Sequence, residues 1–283
     1  MRALHDVPAP AKLNRFLHIT GRRADGYHLL QSVFMLIDWC DTLHFELRAD
    51  AALSREDLGP ALPADDLCLR AARALQAATG CTRGAHIAVD KRVPAQAGMG
   101  GGSSDAASTL LALNQLWQLD LTRAQLQAIG VTLGADVPFF LCPGSAWVEG
   151  IGDIIRPLEL QHALEAEHFV VVKPEAGLDT KAIFSSPLLK RDSERATISD
   201  FAAAPNSFGR NDLQPVAQAL CPEVDQALQW LASKGLQPRM TGSGSAVFAQ
   251  VAQTVDLLEA PAAWQVRMCR SLAVHPLAGW VRD

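Results

Sequence analysis

Apolar positions along the chain switch repeatedly between a period of two and a period near 3.6, which predicts strands interleaved with helices. Residues 12–19 alternate and read as a strand, and 33–45 supply further strand material. Leu67, Ala71, Leu75 and Ala78 share a helical face, with Asp65 or Asp66 placed to cap it and Gly80 to close it. Ile87 and Val89 alternate with small or polar neighbours, as in a half-buried strand. Ala106, Leu110, Leu113 and Trp117 then recur at helical spacing. Thr122 and Gln125 form a capping box ahead of Leu126 and Ile129, in a helix that should stop at Gly134. A strand over 169–172 follows the loosely patterned 161–167 stretch, and Pro222 opens a helix with Val224, Leu228 and Leu231 facing inward. A last strand is expected over 246–251. Between these, 185–206 carries Pro187 and Pro205 near its edges and reads as a weakly structured loop beside a site. The chain of 283 residues is long enough for two domains, with a boundary expected near 158 that separates 1–158 from 159–283.

Composition excludes several classes. A net charge of −5 without a long basic run argues against a nucleic-acid surface. The longest apolar run, 33–37, meets Asp38 almost at once, so no segment can span a bilayer. The N-terminus has no hydrophobic signal core, which points to a cytoplasmic protein. Six cysteines without a Cys-x-x-Cys pair read as free thiols, and eight histidines without ligand spacing make a structural zinc improbable.

The most specific local signal is the run Gly98, Met99, Gly100, Gly101, Gly102, Ser103, Ser104, Asp105, between the strand of Ile87 and the helix of Ala106. Glycines let a backbone turn tightly and approach a ligand closely. Ser103 or Ser104 would cap the helix, and its free first amides attract anions, phosphate above all. No lysine follows, as a Walker loop requires, and Ser103 stands where a dinucleotide fingerprint needs its third glycine. Protein-kinase signatures are absent. By itself the run reads equally well as a tight strand-to-helix turn.

Four further segments carry unusual residue choices. Lys12 and Asn14 share one face of the first strand, either facing solvent or serving a site. Asp25-Gly26 marks a turn followed by Tyr27, the single tyrosine, and His28. These two could stack on and hydrogen-bond a planar ligand, or cover the core. Asp136, just before Val137-Pro138, is either a helix cap or a carboxylate able to take a proton from a hydroxyl. In phosphoryl transfer such a base need not be strong, because positioning dominates. Thr241, Gly242, Ser243, Gly244 and Ser245 form a second anion contact or a tight turn.

Taken together, these segments resemble the GHMP family of small-molecule kinases, named for galacto-, homoserine, mevalonate and phosphomevalonate kinases. Pro10-Ala11-Lys12-Leu13-Asn14 looks like the family's first motif, the Gly98–Ser104 loop its second and the Thr241–Ser245 segment its third, in matching order from residue 8 to about 250. Arg22 with Ala24-Asp25-Gly26-Tyr27-His28, the Gly-Gly-Gly-Ser-Ser-Asp-Ala-Ala run at 100–107 and Leu133-Gly134-Ala135-Asp136-Val137-Pro138 resemble the branch that acts on a cytidine-diphosphate-linked methylerythritol.

The resemblance implies an α/β fold of α+β type in two domains, the first holding ATP, the second a ferredoxin-like sandwich, with the active site in the cleft between them. It implies ATP and Mg2+ as cofactors, with no residue assigned to the metal. Asp136 would be the catalytic base and Lys12 its partner. Lys91 and the residues from Gly98 through Ser104 would hold ATP. Asn14, Tyr27, His28, Phe184, Thr180, Gly242, Ser243 and Gly244 would hold the acceptor. A small-molecule substrate is the expected partner, with no nucleic acid or membrane and a monomer or weak homodimer. A homoserine- or mevalonate-type kinase and a non-catalytic nucleotide-binding regulator are the alternatives. Arg15 stands where the family's first motif usually has an apolar residue, which suggests an edge or exposed position. Asp66 replaces an asparagine common near the adenine, and Asp105 suits a helix's first turn.

Overall fold

The structure, a computed structural model, describes residues 2–158, 167–252 and 259–283. Apart from Glu167, the 161–167 stretch therefore lies outside the described residues. Two long strands organise everything else. β1 (Ala3–Arg22) and β2 (His28–Arg48) pair antiparallel, joined by the expected turn with Gly26 at φ 93°. Register shifts between Pro10 and Lys12 and between Asn14 and Leu17 bracket the stretch holding Lys12 and Asn14. Such bulges bend a strand and re-aim its side chains.

β3 (Leu53–Asp57) and β4 (Gly84–Asp90) run parallel, connected by α1 (Leu67–Thr79). Asp66 caps α1, accepting from the Leu69 amide at 3.1 Å, and Gly80 closes it in the left-handed conformation. Ala78, expected inward, is exposed. α2 (Gly101–Leu116), α3 (Arg123–Gly130) and α4 (Val137–Phe140) follow, then β5 (Ala146–Glu149) and β6 (Ile154–Pro157). The capping box of Thr122 and Gln125 forms as expected, but the helix ends at Gly130 rather than Gly134. There Gly130 lies so close to Val137 and Leu141 that an added Cβ would sit 3.0 Å from Val137, so the chain turns early to admit α4. The first sheet has the order β3-β4-β2-β5-β6, with β1 also on β2.

The second half contributes β7 (His168–Lys173), α5 (Thr180–Ser185), α6 (Ile198–Ala203), α7 (Gln214–Leu220), α8 (Pro222–Ser233), β8 (Arg239–Met240), β9 (Val247–Val251) and β10 (Gln265–Arg270). Its antiparallel sheet has the order β10-β7-β9-β8, the fourth, first, third and second of its strands. Val224, Leu228 and Leu231 of α8 are buried as expected.

One apolar core fills the space between the first sheet and α1, α2 and α4; a second lies between the second sheet and α7 and α8. A third cluster joins the halves: Ala11, Leu13, Met35 and Ile37 of β1 and β2 pack on Phe169, Val171 and Phe248 of the second sheet and on Ala97 and Met99 of the glycine loop. Burial on this scale, at about 25 cal/mol per Å² of apolar surface, fixes the two halves against each other.

This packing overturns one expectation. Arg15 is neither at an edge nor exposed: it is 3% exposed, paired with Glu167 and donating to Pro205 O at 3.0 Å and Asn206 Oδ1 at 2.8 Å. Its face of β1 would be open in the first sheet alone, and the second half covers it. Residues 186–197 carry no helix or strand, as expected of a weakly structured stretch, but α6 follows within it and contacts hold it down. Ser193 N–H donates to Ile19 O, Ala196 N–H to Gln31 Oε1, and Phe201 of α6 is fully buried.

The C-terminal residues return to the first core through Leu277 and Val281. Just before them His275, 2% exposed, accepts from the Leu277 amide through Nδ1 while Nε2 is buried without a partner. Burial, with Arg123 adding, lowers its pKa from 6.5 to about 4. The unfolded chain takes up this proton below about pH 6.5 and the folded one does not, so the neutral ring's contribution is complete above pH 6.5 and lost as pH falls toward 4. Urea unfolding should show a loss of about 2–3 kcal/mol between pH 7.5 and 4.5 that His275→Asn removes; an unchanged pH slope in that variant would sink the assignment.

Candidate active site

The glycine run connects β4 to α2, and Gly100 rather than a serine stands at the helix N-cap, at φ 71° and without a side-chain cap bond. Ser103 and Ser104, expected as caps, lie inside the first turn. The boundary needs a left-handed residue, which glycine adopts without a Cβ penalty, so the helix starts earlier than the serines suggest. Its first backbone bond runs from Ser104 N–H to Gly100 O at 2.9 Å, leaving the amides of Gly101, Gly102 and Ser103 without helical acceptors. All three residues line a cavity of about 510 Å³. An anion in that cavity would meet free N–H groups and the positive end of a 16-residue helix.

A second glycine turn closes on the first, backbone against backbone. An added Cβ at Gly98 would overlap the carbonyl of Thr241, and one at Gly242 would lie 2.6 Å from the carbonyl of Gly98. Ser245 N–H donates to Gln96 O at 3.1 Å and Ala246 N–H to Ala97 O at 3.2 Å. Ser243 and Gly244 line the same cavity, as does Thr180 at the start of α5, whose hydroxyl lies 2.7 Å from Ser243 Oγ. Thus both loops form one wall.

Beside that wall sit Lys12, Asn14 and Asp136. The Lys12 ammonium donates to Asn14 Oδ1 at 2.5 Å and to Gly98 O at 2.9 Å, lies 3.8 Å from Asp136 Oδ2 and sits 4.7 Å over the Phe34 ring. Burial lowers its pKa, and the Asp136 charge only partly opposes this. Asp136 precedes the four-residue α4 but makes no capping bond, so its carboxylate is left for Lys12 and for the site, a third exposed. Asn14 is wholly engaged: its Nδ2 donates to Ser32 Oγ at 2.9 Å and its amide N–H to Thr241 Oγ1 at 2.9 Å. It ties β1 to the second glycine loop.

At the other end of the cavity Leu62, Leu67, Cys68, Val93 and Pro94 supply an apolar lining, with Asp66 at its edge capping α1 and paired to Arg55 Nη1 at 3.0 Å. Lys91 and Asp105 also line it. The Lys91 ammonium donates to Asp41, and to Asp105 Oδ2 at 2.7 Å. Asp41 Oδ1 also accepts from the amides of Arg92 at 2.6 Å and Val93 at 2.7 Å. Burial lowers the pKa of Lys91, but the two carboxylates more than offset it and the net shift is upward. Asp105 is raised, by burial first and by Asp41's charge, with Lys91 opposing.

His28 and Phe184 come together elsewhere, with Tyr27 next to His28 in the chain, and none of the three lines the cavity. The His28 ring lies 5.2 Å from that of Phe184, and Tyr27 is 60% exposed, so it does not serve the core. Phe184 belongs to α5, whose first residue Thr180 reaches the cavity, so one short helix spans both places. The sequence reading missed Asp41, Ser32 and Arg191, which hold Lys91, Asn14 and His28. Asp41 is 50 positions from Lys91 and Arg191 is 163 from His28, so no local pattern connects them.

Residues 66–144 match the GHMP kinases N terminal domain and residues 189–269 the GHMP kinases C terminal domain, and the chain belongs to the GHMP kinase family. It is 73% identical over 99% of its length to the 4-diphosphocytidyl-2-C-methyl-D-erythritol kinase of Acidovorax sp. (strain JS42), covering 99% of that protein. A crystal structure of 4-(cytidine 5'-diphospho)-2C-methyl-D-erythritol kinase superposes with a TM-score of 0.78 at 30% identity, over 93% of this chain and 98% of that one. The Methanococcus jannaschii mevalonate kinase shares the fold, with a TM-score of 0.66 at 15% identity over 95% of this chain and 98% of its own. Among the described residues no helix is long and apolar enough to cross a membrane.

Gly98→Ala should cost about 1–3 kcal/mol in unfolding free energy and weaken ATP binding, because the methyl group meets the Thr241 carbonyl in a left-handed backbone. Gly80→Ala, also left-handed but with nothing within 4 Å, should lose stability while ATP titrations remain unchanged. Equal ATP affinity in both variants would remove the interlock from the donor site.

Proposed function

We propose that this kinase transfers the γ-phosphate of ATP to the 2-hydroxyl of 4-diphosphocytidyl-2-C-methyl-D-erythritol. The observation that carries the reading is the Lys12 ammonium 3.8 Å from Asp136 Oδ2, bonded at the same time to the carbonyl of the glycine-loop residue Gly98. The full-length relative at 73% identity supports the choice of acceptor.

In this reading the amides of 101–103 cradle the triphosphate, and the apolar lining around Leu67 and Val93 receives the adenine. Gly242, Ser243 and Gly244 approach the acceptor's diphosphate. Tyr27 and Phe184 flank the cytosine and His28 hydrogen-bonds its edge. Asp136 accepts the proton of the 2-hydroxyl as its oxygen bonds to the γ-phosphorus and the bond to the ADP oxygen breaks. Lys12, held by Asn14 and Gly98, keeps the carboxylate and the hydroxyl in place and offsets charge growing on the oxygen. A buried cation acts strongly there because little water screens it.

Lys91 supports the donor pocket with its charge balanced by Asp41 and Asp105. Mg2+ fits as an ion carried on the triphosphate. Among the described residues no three His, Cys, Asp or Glu side chains converge on one point, whereas Ser104 Oγ is buried without a partner in the first turn of α2. Ser103, which lines the cavity, would help hold Mg2+, and the bound ion would neutralise the phosphates and align the γ-phosphoryl group. We place the enzyme in the cytoplasm as a monomer or weak homodimer, divided into an ATP-binding domain over 1–158 and a second domain over 159–283.

A homoserine- or mevalonate-type kinase would share the loops and the Lys12–Asp136 pair but would have no use for Tyr27, His28 and Phe184. A nucleotide-binding regulator would need no base. ADP release measured across the cytidylyl acceptor, mevalonate, homoserine and galactose separates these readings, with turnover expected on the first alone. Asp136→Asn should lower kcat by about 10²–10⁴-fold while ATP binding stays within a few-fold, and near-normal turnover would reject Asp136 as the base.

A further inference from the structure

Arg191 lies in the 185–206 segment, yet its Nε–H donates to Nε2 of the His28 ring at 3.0 Å. The rest of the guanidinium is fixed by carbonyls: Nη1 donates to Leu189 O at 3.0 Å, and Nη2 to Ser186 O at 2.7 Å and Phe184 O at 3.3 Å. Among the described residues no carboxylate pairs with it. Its planar fork is held at three corners, and its Nε–H has only the imidazole to meet.

An arginine in a protein keeps its proton and can only donate. Nε2 of His28 must therefore offer its lone pair. A ring protonated at both nitrogens would set two N–H groups against each other, so the ring is neutral and its single proton is on Nδ1. Burial lowers the His28 pKa, and the charges of Arg191 and Arg22 lower it further, in agreement with that geometry. Nδ1 has no hydrogen-bond partner among the described residues, which leaves its N–H for a ligand.

We propose that Arg191 is a specificity-determining positioning residue that locks His28 in the Nδ1–H form, so that the ring offers a donor to the acceptor edge of cytosine. The inference rests on Tyr27, His28 and Phe184 being the nucleobase slot. Cytosine carries a lone pair at N3, where uracil carries an N–H. A fixed donor facing that edge matches cytosine and opposes uracil. The opposite tautomer presents a lone pair at Nδ1 and accepts the uracil N–H. Arg191 thereby converts one backbone-anchored guanidinium into a choice between two bases.

The test uses the full-length protein with Arg191→Met and Arg191→Lys. Nitrogen-15 shifts of labelled histidine should show His28 protonated at Nδ1 in the unsubstituted protein and shifted toward Nε2–H in Arg191→Met. The ratio of kcat/KM for the cytidylyl acceptor over its uridylyl counterpart should fall about tenfold in Arg191→Met, mainly through KM, as expected for one lost discriminating hydrogen bond. Arg191→Lys, which keeps a charged donor, should restore part of both signals. A residue that merely holds the 184–189 backbone would weaken both bases equally, so an unchanged ratio overturns the proposal. An Nε2-protonated ring in the unsubstituted protein overturns it without any variant. The slot is tested separately: if Tyr27→Ala leaves CDP affinity unchanged, the slot reading fails and base choice by His28 falls with it.

Discussion

The carbonyl of Gly98 is the point on which the site depends. It accepts from the Lys12 ammonium at 2.9 Å and lies against the backbone of Gly242. The Gly98 Cα position faces the Thr241 carbonyl so closely that no side chain fits. Through this contact the glycine loop of the first half, the turn of the second and the lysine of the first strand share one position. None of the three can move without disturbing the others. A phosphoryl-transfer site needs such an arrangement, because its catalysis rests on holding donor, acceptor and base within a fraction of an ångström.

The two buried lysines show how surroundings divide labour between like residues. Lys91 faces two carboxylates, Asp41 and Asp105, and its charged form is favoured despite burial. Lys12 has neutral oxygens from Asn14 and Gly98 and a single carboxylate 3.8 Å away, so burial prevails and its charged form is disfavoured. An ammonium whose charge is only partly balanced gains when negative charge develops beside it. One that is fully balanced serves instead as a fixed strut behind the loop.

Much of the fold was legible because it is local chemistry. The Asp66 cap, the Thr122–Gln125 box, Gly80 and the turn at Gly26 each act within a few residues, and each is where the pattern put it. The larger surprises share a cause. Arg15 looked like an edge residue and Ser103 like a cap, and the weakly patterned 185–206 gave no sign of what holds it; in each case a distant segment decided. Glu167 and the second half cover Arg15, Gln31 and Ile19 hold 185–206, and Gly100 takes the cap because the loop must turn left-handed against its neighbours.

The sequence by itself determined the residue types of the site, Lys12, Asn14, Asp136 and the two glycine runs, since spacing on a strand, helix starts and backbone freedom are properties of a few adjacent residues. The tertiary structure alone decided what those residues do to each other. The distance from Lys12 to Asp136, the closure of Gly98 on Thr241, the grip of Asp41 on Lys91 and that of Arg191 on His28 all join positions far apart in the chain. Electrostatic strength depends on separation and burial, and neither exists until the two halves have packed.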